Sequence, residues 1–186
     1  MKIINIEDKL PKKGSNGVIS QVKYIVVHHD AQWRPTVYNS IKRYINQAYY
    51  HLNKNYNHLS YHFKIDNVGD VFQCVNLKEV CYHAGDLETN RVSLSICLDG
   101  YLEDRQQLTP QQKQALFDLL TYLKNKYPNA KIEGHERFSS TLCPGNNVMT
   151  ELKEFKESAM PSNVEIRKSV LDKLLEIQKL LTKLKL

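Results

Sequence analysis

No run of about 18 consecutive apolar residues occurs in this 186-residue chain, so a membrane-spanning helix is excluded and no membrane insertion is expected. The first residues, Met1-Lys2-Ile3-Ile4-Asn5-Ile6-Glu7-Asp8, place charges where a secretory leader needs an unbroken apolar core. The expectation is a protein made in the cytoplasm without an export signal of its own. Cysteine is scarce: Cys74, Cys81, Cys97 and Cys143 lack the density of a disulfide-stapled scaffold and read as reduced thiols. Acidic residues are the minority charge, 20 against 26 Lys and Arg, and the formal charge of +6 favours a polyanionic partner, either nucleic acid or an anionic cell wall. The lysines are scattered, with no helix-turn-helix, zinc finger or aromatic-interleaved basic stripe, so nucleic acid is not the expected partner.

The length suits one well-cored domain plus an appendage. Residues 1 to 21 read as an extended lead-in with a turn at Lys13-Gly14-Ser15-Asn16-Gly17. Val22 to His28 is a continuous apolar run, as in a central strand covered on both faces. From Thr36 to about Leu52, Val37, Ile41, Tyr44, Ile45 and Ala48 recur at helical spacing, with Thr36 as the cap. Leu59 to Ile65 and Asp70 to Val75 flank Asp66-Asn67-Val68-Gly69 and predict a hairpin. Glu79 to His83 and Val92 to Leu98 read as further strands. Thr109-Pro110 opens a helix through about Lys126, because a proline at the first helical position loses no hydrogen bond. Ala130 to His135 is a last strand and Asn147 to about Lys156 a closing helix. The pattern predicts an α/β fold, a mixed central β-sheet covered by helices. We place this domain at residues 1–158, with a linker around Met160-Pro161-Ser162-Asn163 and a C-terminal helical extension in 159–186.

The chemistry concentrates in Gly134-His135-Glu136-Arg137-Phe138-Ser139-Ser140-Thr141-Leu142-Cys143-Pro144-Gly145, where an imidazole and a thiol stand in a turn-rich loop. Tyr24-Ile25-Val26-Val27-His28-His29 ends an apolar strand on a histidine. Two imidazoles and one thiolate match a catalytic zinc, which keeps three protein ligands and leaves its fourth position for water. The alternative is a loop histidine and a buried thiol acting as a small hydrophobe. A purely structural zinc would want four protein ligands, and three are evident. His28 and His29 point to opposite faces of the strand, so at most one joins the metal.

Val26-Val27-His28-His29, Ser60-Tyr61-His62-Phe63, Tyr82-His83-Ala84-Gly85, Gly134-His135-Glu136 and Thr141-Leu142-Cys143-Pro144-Gly145 follow one another in the order found in a known family. Over about residues 20 to 157 the chain resembles the zinc-dependent N-acetylmuramoyl-L-alanine amidases, which include phage amidase-type lysozymes and the peptidoglycan recognition proteins. The resemblance implies one Zn²⁺ per chain on His28, His135 and Cys143, with His28 rather than His29 as the strand ligand. It implies catalytic roles for Tyr61 and Thr141, and places His83 and Asn90 near the substrate groove, where His83 has two equal readings, a substrate contact or a supporting, structural role. Trp33, in the loop after the first strand, is a candidate aromatic platform for sugar or peptide. Two departures stand out: Thr141 replaces the lysine common in phage and recycling amidases, and Cys97 falls where recycling amidases carry a glutamate base. The cysteine, within an apolar strand, is expected to stay protonated. Asp30 is a candidate to orient a ligand histidine. His51, His58 and His62 read as packing or surface histidines.

The resemblance implies hydrolysis of the bond between N-acetylmuramic acid and L-alanine in peptidoglycan, in an endolysin of phage or prophage that reaches the wall after release. The competing reading is a non-catalytic peptidoglycan-binding recognition protein; such receptors often lack the cysteine ligand, which is present here. In Val164 to Leu186, Val170, Leu174, Ile177, Leu181 and Leu184 step by four and three, the spacing of a coiled-coil seam, and predict a homo-oligomer through residues 164–186.

Overall fold

The structure, a computed structural model, describes residues 1–32, 39–158 and 163–184. Trp33 and Thr36 lie outside the described residues. The chain divides into two compact units, Met1–Leu152 and Lys153–Leu186.

The first unit is built on a six-stranded sheet of β1 (Ile3–Asn5), β2 (Tyr24–His29), β3 (Phe63–Ile65), β4 (Val71–Gln73), β5 (Ser93–Leu98) and β6 (Lys131–Gly134), in the order β1-β4-β3-β5-β2-β6. Only β3 and β4 pair antiparallel, through the Asp66–Gly69 turn; the other neighbours are parallel, so the sheet is mixed. All six residues of β5 and five of the six in β2 are buried, so both faces of the central strands are covered, as their apolar runs predict.

Helix α1 (Ser40–Asn53) starts at Asn39, whose side chain accepts the Lys42 N–H, and turns Tyr44, Ala48 and Leu52 inward. Tyr44 and Ala48 join Leu59, Phe72, Cys74 and Val75 in one core cluster. A single turn, α2 (Leu87–Asn90), is capped by Asp86. Helix α3 (Pro110–Lys126) carries the full reciprocal box: Thr109 accepts the Gln112 N–H and the Gln112 side chain accepts from Thr109. Helix α4 (Asn146–Ser158) crosses from the first unit into the second, and α5 (Asn163–Leu184) fills most of the second. Among the described residues no helix is long and apolar enough to cross a membrane.

Two local expectations change. The lead-in is not merely extended: Ile3–Asn5 pairs in parallel with Val71–Gln73 and forms the sheet edge. Glu79 to His83 is not a strand; it makes one isolated bridge, Val18 to Glu79, because no ladder partner runs beside it.

Candidate metal centre

Parallel pairing decides where the candidate residues go. In register, Lys64 of β3 faces Cys97 of β5, and Cys97 faces His28 of β2. Side chains directly opposite one another share a face of the sheet, so these three form one row. On the other side of β2, Val27 pairs with Gly134, and His135 follows at the end of β6. The chain then loops back through Cys143. Two glycines let this loop close. A Cβ on Gly134 would lie 2.5 Å from the Met149 sulfur, and one on Gly145, at φ +92°, would lie 2.3 Å from the Leu102 carbonyl oxygen.

The loop brings one nitrogen each of His28 and His135 and the sulfur of Cys143 within 4.8 Å of one another, the trio expected from the sequence. The hydrogen bonds fix which nitrogens. Ser93 Oγ donates to the Thr89 carbonyl at 2.7 Å. Its contact of 3.0 Å with His83 Nε2 must therefore be donated by the histidine. His83 Nδ1 then carries no proton and accepts from His28 Nε2 at 3.0 Å. That leaves His28 Nδ1 as a bare acceptor, 3.7 Å from Cys143 Sγ. His135 repeats the logic: the Ala84 carbonyl can only accept, and His135 Nε2 is buried without a hydrogen-bond partner.

Protonation states agree. Burial first, then the neighbouring His83 and His135, hold His28 well below the ordinary histidine value, and burial lowers His135 as well. Both imidazoles are neutral near pH 7, the form that binds metals. Burial pushes the Cys143 thiol up to about 12, opposed by the His29 N–H that donates to its sulfur at 3.4 Å. Two bare ring nitrogens converge on a sulfur whose single thiol proton a metal would displace, so the donor set fits a cation that favours nitrogen and sulfur.

His29 takes the opposite direction, as strand alternation predicts: its Nδ1 accepts the Leu102 N–H at 3.0 Å. The ring contact expected from Asp30 is made by His83 instead. Asp30 Oδ1 accepts from the Gly100 N–H at 3.0 Å, and its other oxygen lies 3.6 Å from Lys64. Asn90 Oδ1 accepts from the N–H groups of His83 and Ala84, holding the segment that carries the chain His28–His83–Ser93. Both His83 and Asn90 also line a cavity of about 470 Å³ with Tyr56, Tyr82 and His135.

Tyr61 precedes β3, its ring centroid 5.3 Å from that of His28. Burial holds its hydroxyl well above the usual tyrosine range, so it stays a donor. Thr141 Oγ1 accepts the Cys143 N–H at 3.2 Å, which shapes the ligand loop. His51, His58 and His62 are all buried, so the packing reading holds for them and the surface reading does not.

Sequence reasoning missed Lys64. Its side chain is fully buried, with Nζ 3.1 Å from Asp99, 3.2 Å from Cys97 Sγ and 5.6 Å from the Tyr61 ring centroid. Arg43 and the Tyr44 hydroxyl also bind Asp99. Burial alone would lower the Lys64 ammonium, but the Asp99 and Asp30 carboxylates beside it outweigh that and hold it well above the ordinary value. The available signal was a lysine between Phe63 and Ile65, where the strand is otherwise apolar. Burial keeps the Cys97 thiol protonated, as expected, although its neighbour is an ammonium.

Comparison with known proteins places this arrangement. No curated protein sequence matches the chain. Among solved structures it is similar to the N-acetylmuramoyl-L-alanine amidase LysC from Clostridium intestinale URNW, at 24% identity over 85% of this chain and 97% of that one, with a TM-score of 0.69. It is also similar to bumblebee PGRP-SA, at 20% identity over 82% and 93%, TM-score 0.72. Drosophila PGRP-LB matches at 21% identity over 81% and 92%, TM-score 0.70. At these identities the likeness shows a shared fold. The sequence model of the N-acetylmuramoyl-L-alanine amidases matches residues 19–146, a stretch that holds the whole trio, and the chain belongs to that family.

Proposed function

We propose that this chain is a zinc-dependent N-acetylmuramoyl-L-alanine amidase that hydrolyses the lactyl-amide bond between N-acetylmuramic acid and L-alanine of peptidoglycan. One observation carries the reading: His28 Nδ1 and His135 Nε2 converge as bare acceptors beside Cys143 Sγ, with the protons of both rings drawn off to other partners. These three residues would hold one Zn²⁺ per chain. Bound there, zinc supplies a Lewis acid and a water made acidic near neutral pH.

The chain's own residues do the rest. His83 keeps the His28 ring oriented and basic through Nε2. Tyr61, kept protonated by burial, donates a hydrogen bond to the substrate oxygen that gains charge in the tetrahedral transition state. Thr141 holds the cysteine loop with its oxygen, and its hydroxyl proton, not used in that contact, serves as a second neutral donor. With threonine rather than lysine at 141, no cation is added at that point. Lys64 is directed at Asp99 and Cys97 instead. His83 and Asn90 line the approach for sugar and stem peptide, and Trp33, the aromatic platform the sequence offers, lies outside the described residues.

In this reading residues 1–158 are the catalytic part, 159–186 are linker and helix, and the enzyme acts on the cell wall as a phage or prophage endolysin. The net charge of +6 suits an anionic wall. Purified protein incubated with muropeptides should release a lactyl-bearing sugar and an intact stem peptide beginning with alanine, identified by mass spectrometry. Binding to sacculi with no product would assign the chain to recognition rather than hydrolysis, and a cut at another bond would replace the reaction.

A further inference from the structure

Helix α5 joins a sequence pattern to an exposure that the pattern alone does not contain. Every residue from Val170 to Leu181 is exposed. Seven of them are large and apolar, exposed to between 48% and 58%. A contiguous apolar stripe of this extent marks an interaction surface.

We propose that α5 is a self-association element through which three or four copies of this chain bundle. Val170, Leu174, Ile177 and Leu181 step by four and three, and Leu184 continues the spacing in the sequence. In heptad terms Leu174 and Leu181 fall at a, and the β-branched Val170 and Ile177 at d. Leucine at a with a β-branched residue at d favours three or four strands over two. Leu171, Leu175 and Leu180 fall at e, b and g, widening the stripe beyond a two-stranded seam in the same direction.

The area suffices. Burying one Val, Leu or Ile is worth about 1.5–3 kcal/mol at about 25 cal/mol per Å², or roughly 60–120 Å² each, so the stripes of two copies offer on the order of 1,000 Å². That is about the area a specific interface has to clear.

The rest of the helix favours a copy over a lipid surface. Over residues 164 to 186 three acidic residues, Glu165, Asp172 and Glu176, stand among six Lys and Arg, and no residue there is aromatic. Helices that lie in a bilayer surface carry a basic polar face and bring Trp or Phe beside Leu. A second α5 presents the same stripe, and its Asp172 and Glu176 offer carboxylates to the lysines of the first.

Light scattering on the full chain at tens of micromolar tests this. The expected mass is three or four times that of one chain. Leu174→Gln with Leu181→Gln, which retains good helix formers, should return a single-chain mass with far-ultraviolet circular dichroism unchanged. Lys179→Glu, on the polar side, should leave the assembly intact. A wild-type particle of one or two chains overturns the proposal. So does a monomer that co-sediments with phosphatidylglycerol vesicles and loses that binding in the double variant, which assigns the stripe to a membrane surface.

Discussion

Two buried polar clusters share one row of the sheet and solve the same problem in opposite ways. On one side of Cys97, Lys64, Asp99, Asp30 and Arg43 neutralise one another, cation against carboxylate. On the other side, His28, His135 and Cys143 are neutral groups that bring two bare ring nitrogens together around a single thiol proton. Burying a polar group costs free energy unless it finds a partner. The first cluster balances its charges from within and is closed in that sense, although Arg43 Nε and Asp99 Oδ1 are left without a hydrogen bond. The second carries no opposing charges, and under the proposed function a cation bound there would supply the one it lacks.

The sharpest way to break that contrast is to remove the sulfur. Cys143→Ser should abolish amidase turnover and reduce bound zinc from about one per chain to near none, since a hydroxyl is a poor substitute for thiolate. Chelation of the wild type should do the same reversibly, with activity restored by added zinc. Metal analysis finding active protein free of zinc would remove the open cluster as the reason for the fold's polar face.

The closed cluster should fail differently. Lys64→Met takes away a cation from between two buried carboxylates, and breaking such a pair from one side costs about 3–5 kcal/mol. Denaturant unfolding should report that loss while zinc still binds at one per chain. A loss below about 1 kcal/mol would mean that the Arg43 charge and the Tyr44 hydrogen bond suffice to hold Asp99.

The same contrast explains what could be read from the sequence. β2, β5, the β3–β4 hairpin and α3 were legible because each is announced locally, by an apolar run, a turn or a cap. The candidate trio was legible because His28 and His135 end or follow strands and Cys143 sits in a turn-rich loop, and because the family resemblance, not spacing, chose His28 over His29. β1 was not: Ile3–Asn5 pairs with Val71–Gln73, and no local turn signals so distant a parallel partner. Glu79 to His83 has strand-like residues but no ladder beside it. Lys64, Asp99 and Arg43 meet through register and a helix face, so no spacing betrays them. The part of His83 is hidden for the same reason, since it rests on a contact 55 residues away in sequence.

Tyr61 lies between the two clusters, with His28 on one side and Lys64 on the other. Tyr61→Phe should keep zinc and stability and lose about 10²-fold in turnover, the scale for one positioned donor in a transition state. Near-normal turnover would move the tyrosine into the closed, structural cluster.

The smallest expected effect on the metal comes from the neighbours His28 and His29, which one step of strand register sends to opposite faces. His28→Ala removes a ligand and should lose zinc. His29→Ala removes a group that accepts the Leu102 N–H and lies 3.8 Å from Glu103. The cost is a buried N–H left without its acceptor, about 1–3 kcal/mol of stability. The turn at Leu102 also packs against Gly145, next to the Cys143 loop, so zinc affinity should weaken by no more than about tenfold, the lower end of what indirect supports of a metal site contribute. Calorimetric titration of zinc into the two apo variants compares them directly. Loss of zinc in His29→Ala with retention in His28→Ala would mean that the register of β2 is off by one residue, and with it the whole row from Lys64 to His28.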